Sequence, residues 1–227
     1  QQLEQLQEEL ERFNYIASHE LKEPLRNIIS FIQLSKRQGL IENKIALEYF
    51  KFIEKNARQV NKLVEDILEF SNLPDTQPPT EVVVLENIFS QVVEALKEPI
   101  QSKNPLIKWH NLPQKIVSNT SMIFLIFKHL IENGIKYNEN KNPLIYINYE
   151  DSSNHHIFNI KDNGIGISPI YHEKIFQMFS RLHNRSQYKG SGIGLAMCKK
   201  TVSSLKGFIK VESELEQGAN FIVFLPK

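Results

Sequence analysis

Three clusters of residues in this chain have the types and spacing to hold a phosphate-bearing ligand, and a fourth carries a side chain able to react with it. Asp162-Asn163-Gly164-Ile165-Gly166-Ile167 follows the alternating run His156-Ile157-Phe158-Asn159-Ile160-Lys161, so its carboxylate closes a half-buried strand and sits at a pocket mouth. Gly164 and Gly166 allow the backbone to approach a ligand closely and to adopt positive φ. Gly190-Ser191-Gly192-Ile193-Gly194-Leu195 reads as a loop opening a helix, whose exposed amides attract phosphate oxygens. Glu132-Asn133-Gly134-Ile135-Lys136-Tyr137 lies on a helix, where the spacing of Asn133 and Lys136 puts both on one face. Far upstream, His19 offers a ring nitrogen that is largely neutral near neutral pH, given a reference pKa of about 6.5, and can attack a phosphoryl group in line.

Two kinds of architecture must position these groups. Leu3, Leu6, Leu10, Phe13 and Ala17 keep the three-and-four spacing of a coiled-coil seam, which continues through Leu21, Leu25, Ile28 and Ile32 with His19 on the side turned away from it. Consecutive steps of four and Pro24, which leaves the carbonyl of Glu20 without its amide, predict local unwinding beside the histidine. After a break at Gln38-Gly39, Ala46, Phe50, Ile53, Ala57, Val60, Val64 and Ile67 form a second seam antiparallel to the first. Two narrow apolar stripes cannot enclose a core, so the spacing predicts a dimer closing a four-helix bundle; a hairpin packed on the rest of the same chain is the alternative. Three prolines between Leu73 and Thr80 mark a linker.

Beyond the linker the pattern predicts a strand at 82–85, a helix at 86–101, strands at 106–110 and 115–117, and a helix at 120–137. Strands at 144–149 and 156–161, a long loop to about 189, a helix at 192–205 and strands at 208–212 and 220–225 follow. Helices and mostly hairpin-linked strands predict an α+β chain: residues 1–72 as the helical hairpin, 73–80 as linker and 81–227 as an α/β sandwich.

Composition limits the function classes. With 27 basic and 26 acidic residues in 227, the net charge of +1 gives no general attraction to nucleic acid or to an acidic membrane. One cysteine, Cys198, excludes an internal disulfide and a cysteine-based zinc site, and suits a reducing, cytoplasmic location. No apolar run approaches the ~20 residues needed to span a bilayer, so no membrane contact is expected within this segment. A start at Gln1, already inside a helical repeat, reads as a piece of a longer protein whose front could hold a sensor or a membrane anchor. His155-His156, without a cysteine nearby, reads as a surface turn and not as a metal site.

Phe13-Asn14-Tyr15-Ile16-Ala17-Ser18-His19-Glu20-Leu21-Lys22-Glu23-Pro24-Leu25-Arg26 is similar to the phospho-acceptor box of sensor histidine kinases. The three glycine and asparagine clusters, in this order, resemble the nucleotide pocket of the ATPase superfamily that joins gyrase, heat-shock chaperones, mismatch-repair proteins and those kinases. Ile175-Phe176-Gln177-Met178-Phe179-Ser180-Arg181 resembles the phenylalanine box of the family's mobile lid. The resemblance implies autophosphorylation of His19 from Mg-ATP, Glu20 accepting the proton from the other ring nitrogen, and transfer of the phosphoryl group to an aspartate of a response-regulator receiver domain. It implies Mg²⁺ on Asn133, phosphates on Lys136, and the adenine amino group on Asp162. The remaining ATP contacts it implies are Tyr137, Gly164, Gly166, Ile167, Phe179, Arg181, Gly190, Ser191, Gly192, Gly194 and Leu195.

Three residues depart from the family pattern. His129 stands where an asparagine is common, Gly134 where alanine is common, at up to ~1 kcal/mol of helix stability, and Glu23 where Thr or Asn orients water for dephosphorylation of the partner. The last implies weak phosphatase activity. Two other readings stay open at this point: a degenerate ATP-binding signalling scaffold without turnover, and a gyrase-type hydrolytic clamp with Glu132 as base.

Overall fold

The computed structural model describes residues 22, 25–37, 44–76, 78–182, 187–188 and 190–227. His19, Glu20, Glu23 and the first half of the leading seam lie outside the described residues. The chain divides into two compact units, Gln1–Asn72 and Leu73–Lys227.

In the first unit, residues 25–37 form helix α1 and Lys44–Ser71 form α2. Of the predicted seams, Ile32 on α1 and Ala57 and Val64 on α2 are buried, whereas Ile28, Ile53 and Val60 are exposed. Glu54 on α2 accepts from Lys36 Nζ of α1 at 2.5 Å and from Arg58 at 2.9 Å, and the two cations hold its carboxyl down at about 2. Among the described residues of this unit several large apolar side chains are exposed, Phe31 at 70%, Phe52 at 66% and Tyr49 at 67%.

The second unit opens with β1 (Glu81–Val84), α3 (Leu85–Ala95), α4 (Lys97–Lys103), β2 (Leu106–His110), β3 (Lys115–Ser118) and α5 (Thr120–Lys136). β4 (Leu144–Asp151), β5 (His155–Asp162), α6 (Gly194–Ser204), β6 (Phe208–Ser213) and β7 (Ala219–Pro226) complete it. β1 and β3 pair as a two-stranded antiparallel ribbon, apart from a five-stranded sheet of order β2-β4-β5-β7-β6. β2 runs parallel to β4, and the other pairs are antiparallel. Strict alternation on β7 buries Ala219, Phe221, Val223 and Leu225. These join residues of α3, α5, β4 and β5 in one core, in which Phe89, Phe127 and Phe158 contact in series. From α6 the core takes Val202 and the fully buried Cys198, whose thiol points to the Ile126 carbonyl at 3.8 Å and is pushed up in pKa by burial.

Most strands differ from their expected bounds by one or two residues, and two helices differ for identifiable reasons. The helix read at 86–101 is two helices meeting at Leu96 (φ −100, ψ 18), because Pro99 has no N–H for the carbonyl of Ala95. α6 begins at Gly194 and not at 192, because Gly192 takes φ +80, which no right-handed helix accommodates. The start of α5 is as read: Asn119 caps it, accepting from Met122 N at 3.1 Å.

Candidate functional site

Asp162 ends β5 with its carboxylate anchored by backbone. Oδ1 accepts from Gly164 N at 2.8 Å and from Ala219 N, the first residue of β7, at 3.2 Å. Burial nevertheless pushes the carboxyl up to about 6, outweighing the two amides that favour its charged form. Gly134 explains how α5 comes so near: a Cβ there would lie 3.2 Å from Ile145 Cγ1 and 3.3 Å from Asp162 Cβ. The helix stability forgone at Gly134 is matched by this close approach.

The loop after Asp162 is fixed from the far edge of the sheet. Gly166 takes φ +71 with the Glu214 carbonyl where a Cβ would be. Ile167 N donates to Ser213 Oγ at 2.8 Å, and that hydroxyl donates to Gly218 O at 2.6 Å. Gly218 has φ +75 and packs on the Asp162 carbonyl, so the Gln217-Gly218-Ala219 turn is part of this site.

Around Asp162 lies a pocket open to solvent and lined by Asn133, Tyr137, Asp162, Ile165, Gly166, Ile167, Ile175, Ser180, Arg181, Leu182, Leu195, Ala219 and Phe221. The lining is mainly apolar with a few converging polar groups, the composition of a small-molecule site. Seven sequence-predicted residues therefore meet there: Asn133, Tyr137, Asp162, Gly166, Ile167, Arg181 and Leu195. Gly164 stands behind them as the donor to Asp162. Ile165, Ile175, Ser180, Leu182, Ala219 and Phe221 also line the cavity; Ala219 and Phe221 were not expected there, since residues at strand period on β7 look the same in a core and in a pocket.

The other expected contacts sit beside the cavity. Lys136 Nζ lies 4.5 Å over the Tyr137 ring and 2.5 Å from where a Gly190 Cβ would be, so the ammonium meets the second glycine cluster. Gly190 and Gly192 both have positive φ, 146 and 80, and Ser191 Oγ accepts from Ile193 N at 3.3 Å. Arg181 donates to the carbonyls of Gly190 and Tyr188, each at 2.5 Å, tying the chain after Phe179 to that cluster. Tyr188 is buried against Tyr137 with ring centroids 4.8 Å apart, and its hydroxyl donates to Glu139. Phe176 is a core residue, whereas Phe179 is 53% exposed at φ +60.

His129 packs against the first turn of α6, its Nδ1 3.1 Å from a Gly194 Cβ position, and stands 3.8 Å from Glu132 Oε2. The neighbouring His129 imidazole, more than any other group, holds Glu132 below the usual carboxylate range, and Glu132 is absent from the cavity lining.

Residues 118–227 match the family model described as "Histidine kinase-, DNA gyrase B-, and HSP90-like ATPase", which alone leaves the branch of the superfamily open. Residues 9–75, with the His19 box among them, match the "His Kinase A (phospho-acceptor) domain". The chain belongs to the sensor histidine kinases. As a whole this kinase region is 33% identical over 225 residues to cyanobacterial phytochrome A of Nostoc sp., a match that covers 99% of the chain and 29% of the phytochrome. The region thus spans less than a third of the length of the phytochromes it matches. In fold it is similar to full-length ShkA, solved with AMPPNP, at TM-score 0.74 and 22% identity, covering 95% of this chain and 45% of that one. It is similar also to the histidine kinase ThkA, solved in complex with the response regulator protein TrrA, at TM-score 0.62 and 22% identity, covering 95% of this chain and 61% of that one. Among the described residues no helix is long and apolar enough to cross a membrane.

Proposed function

We propose that this kinase region binds Mg-ATP in the cavity around Asp162, phosphorylates His19, and passes the phosphoryl group to an aspartate of a response-regulator receiver domain. The convergence of Asp162, Asn133, Tyr137 and Leu195 on one cavity, in a chain that also matches a phospho-acceptor domain, is the observation that carries the reading. The free Oδ2 of Asp162 accepts the adenine amino hydrogen while Oδ1 stays on Gly164 and Ala219. Phosphates extend toward Lys136 and the Gly190 cluster. Asn133 presents an amide oxygen, a donor that suits a hard cation, and Mg²⁺ held there would neutralise phosphate charge. A neutral His19 nitrogen attacks the γ-phosphorus, ADP leaves, and Glu20 holds the proton of the other ring nitrogen. Glu132, beside His129 and outside the cavity lining, is not placed as the base of a hydrolytic clamp, which favours phosphotransfer.

The exposed apolar side chains of Phe31 and Phe52 support a homodimer through the helical hairpin. We place this segment in the cytoplasm, where ATP and response regulators meet it.

With γ-labelled ATP and Mg²⁺ the chain is expected to acquire a protein-bound label that is lost in acid and kept in base, as a phosphoramidate requires. Release of inorganic phosphate without such a label would overturn the proposal. Affinity should also depend on pH through Asp162. Its carboxyl titrates at about 6 and must be ionised to accept the adenine amino group, so ATP binding is level above pH 7 and falls by up to about tenfold per unit below 6. Calorimetric titration across pH 5 to 8 measures this, and a flat profile would remove Asp162 from the adenine contact.

A further inference from the structure

The C-terminus of α5 carries Asn133, Lys136 and Tyr137, and the carbonyls at a helix end have no partners within the helix. Here three successive carbonyls are nonetheless all taken. Ile165 N, from the glycine loop after β5, donates to Tyr137 O at 3.0 Å. The carbonyls on either side, Lys136 O and Asn138 O, both accept from Lys103 Nζ, at 2.9 and 2.7 Å. Lys103 is the last residue of α4, and Asn104 follows it in the left-handed conformation (φ 45), which turns the chain away into β2 and leaves the lysine directed at α5. Asn138 is itself buried and donates to Asn163 Oδ1 at 2.7 Å, so the same carbonyl run is joined to the residue after Asp162.

We propose that Lys103 is a positioning residue for the nucleotide, fixing the end of α5 and its register against the glycine loop without touching the ligand. The inference rests on the cavity around Asp162 being a nucleotide site. An ammonium complements the negative end of a helix, and two charge-assisted bonds hold more firmly than the single amide of Ile165. Desolvation presses the Lys103 pKa below its ordinary value, opposed by Glu139. Removing the ammonium frees two of the three carbonyls and lets the Lys136 and Tyr137 side chains drift relative to Asp162.

Lys103→Met keeps the aliphatic stem and removes the donors, Lys103→Arg restores donors, and Val92→Ala, in the α3 core and outside the cavity lining, serves as a control for lost stability. Against wild type, Lys103→Met is expected to raise the KM for ATP in autophosphorylation and the Kd for ADP by about tenfold, with kcat changed less than about threefold. Lys103→Arg should return both constants to within about threefold, and Val92→Ala should leave them unchanged despite a lower melting temperature. If Lys103→Met melts below the assay temperature, Lys103→Gln is read the same way in the cold. An unaltered Kd for ADP in the folded lysine variant, or an equal rise in Val92→Ala, overturns the inference. A wild-type chain that binds no ADP overturns the nucleotide reading instead.

Discussion

Asparagine at position 162 is expected to weaken ATP binding by about a hundredfold and, in the same protein, to raise the melting temperature without nucleotide by about 5 °C. The two effects have one origin. Asparagine keeps an oxygen for Gly164 N and Ala219 N, so the loop stays anchored. Its NH₂ then occupies the position of Oδ2 and opposes the adenine amino group, donor against donor, in place of a charge-assisted bond. Stability moves the other way. Burial raises the carboxyl from 3.8 to about 6, so the folded chain holds that proton more tightly than the unfolded one. The resulting contribution favours the fold below about pH 4 and is lost as pH rises through about 6. At neutral pH the ionised group opposes folding by up to ~3 kcal/mol relative to a neutral isostere. Calorimetry of ATP binding and a thermal melt at pH 7.5 measure the pair. Weaker binding with a lower melting temperature would mean that the residue serves the fold and not the ligand.

His19→Gln should abolish the acid-labile label, to below about one part in a thousand, with ATP affinity held within twofold. An amide nitrogen has no free lone pair for phosphorus, whereas a neutral imidazole does. The binding groups all belong to Leu73–Lys227, and His19 belongs to Gln1–Asn72, so the substitution separates binding from chemistry. Glu20→Gln should slow labelling by about a hundredfold without changing affinity, the usual scale for loss of a proton acceptor. Labelled-ATP autoradiography beside equilibrium binding tests both. Persistence of the label in His19→Gln would move the acceptor to another side chain.

The strand-end position of Asp162 was legible from the alternating run before it, and α5 from its apolar periodicity; that Asn119 caps it is seen only in the structure. The role of Gly218 was not. It acts through contact with a strand far away in sequence, and only the pairing of β5 with β7 brings them together. Gly134 was legible as a penalty but not as a requirement, since helix propensity says nothing of the strand behind the helix. Lys103 left no signature at all, because its partners are carbonyls that every residue has. The break at Leu96 should have been read from Pro99; the apolar periodicity ran through it and masked the missing donor.

The only thiol in the chain, sealed in α6 beneath the helix that bears Asn133, gives this kinase a built-in reporter of breathing. Alkylating reagents reach Cys198 only after the second unit opens, so the pace of modification, followed by mass, counts opening events in a fully native population. ATP bound against Asn133 of α5 and Leu195 of α6 should slow that pace in proportion to its affinity, which makes one unmodified side chain a gauge of occupancy that needs no dye, tag or engineered residue.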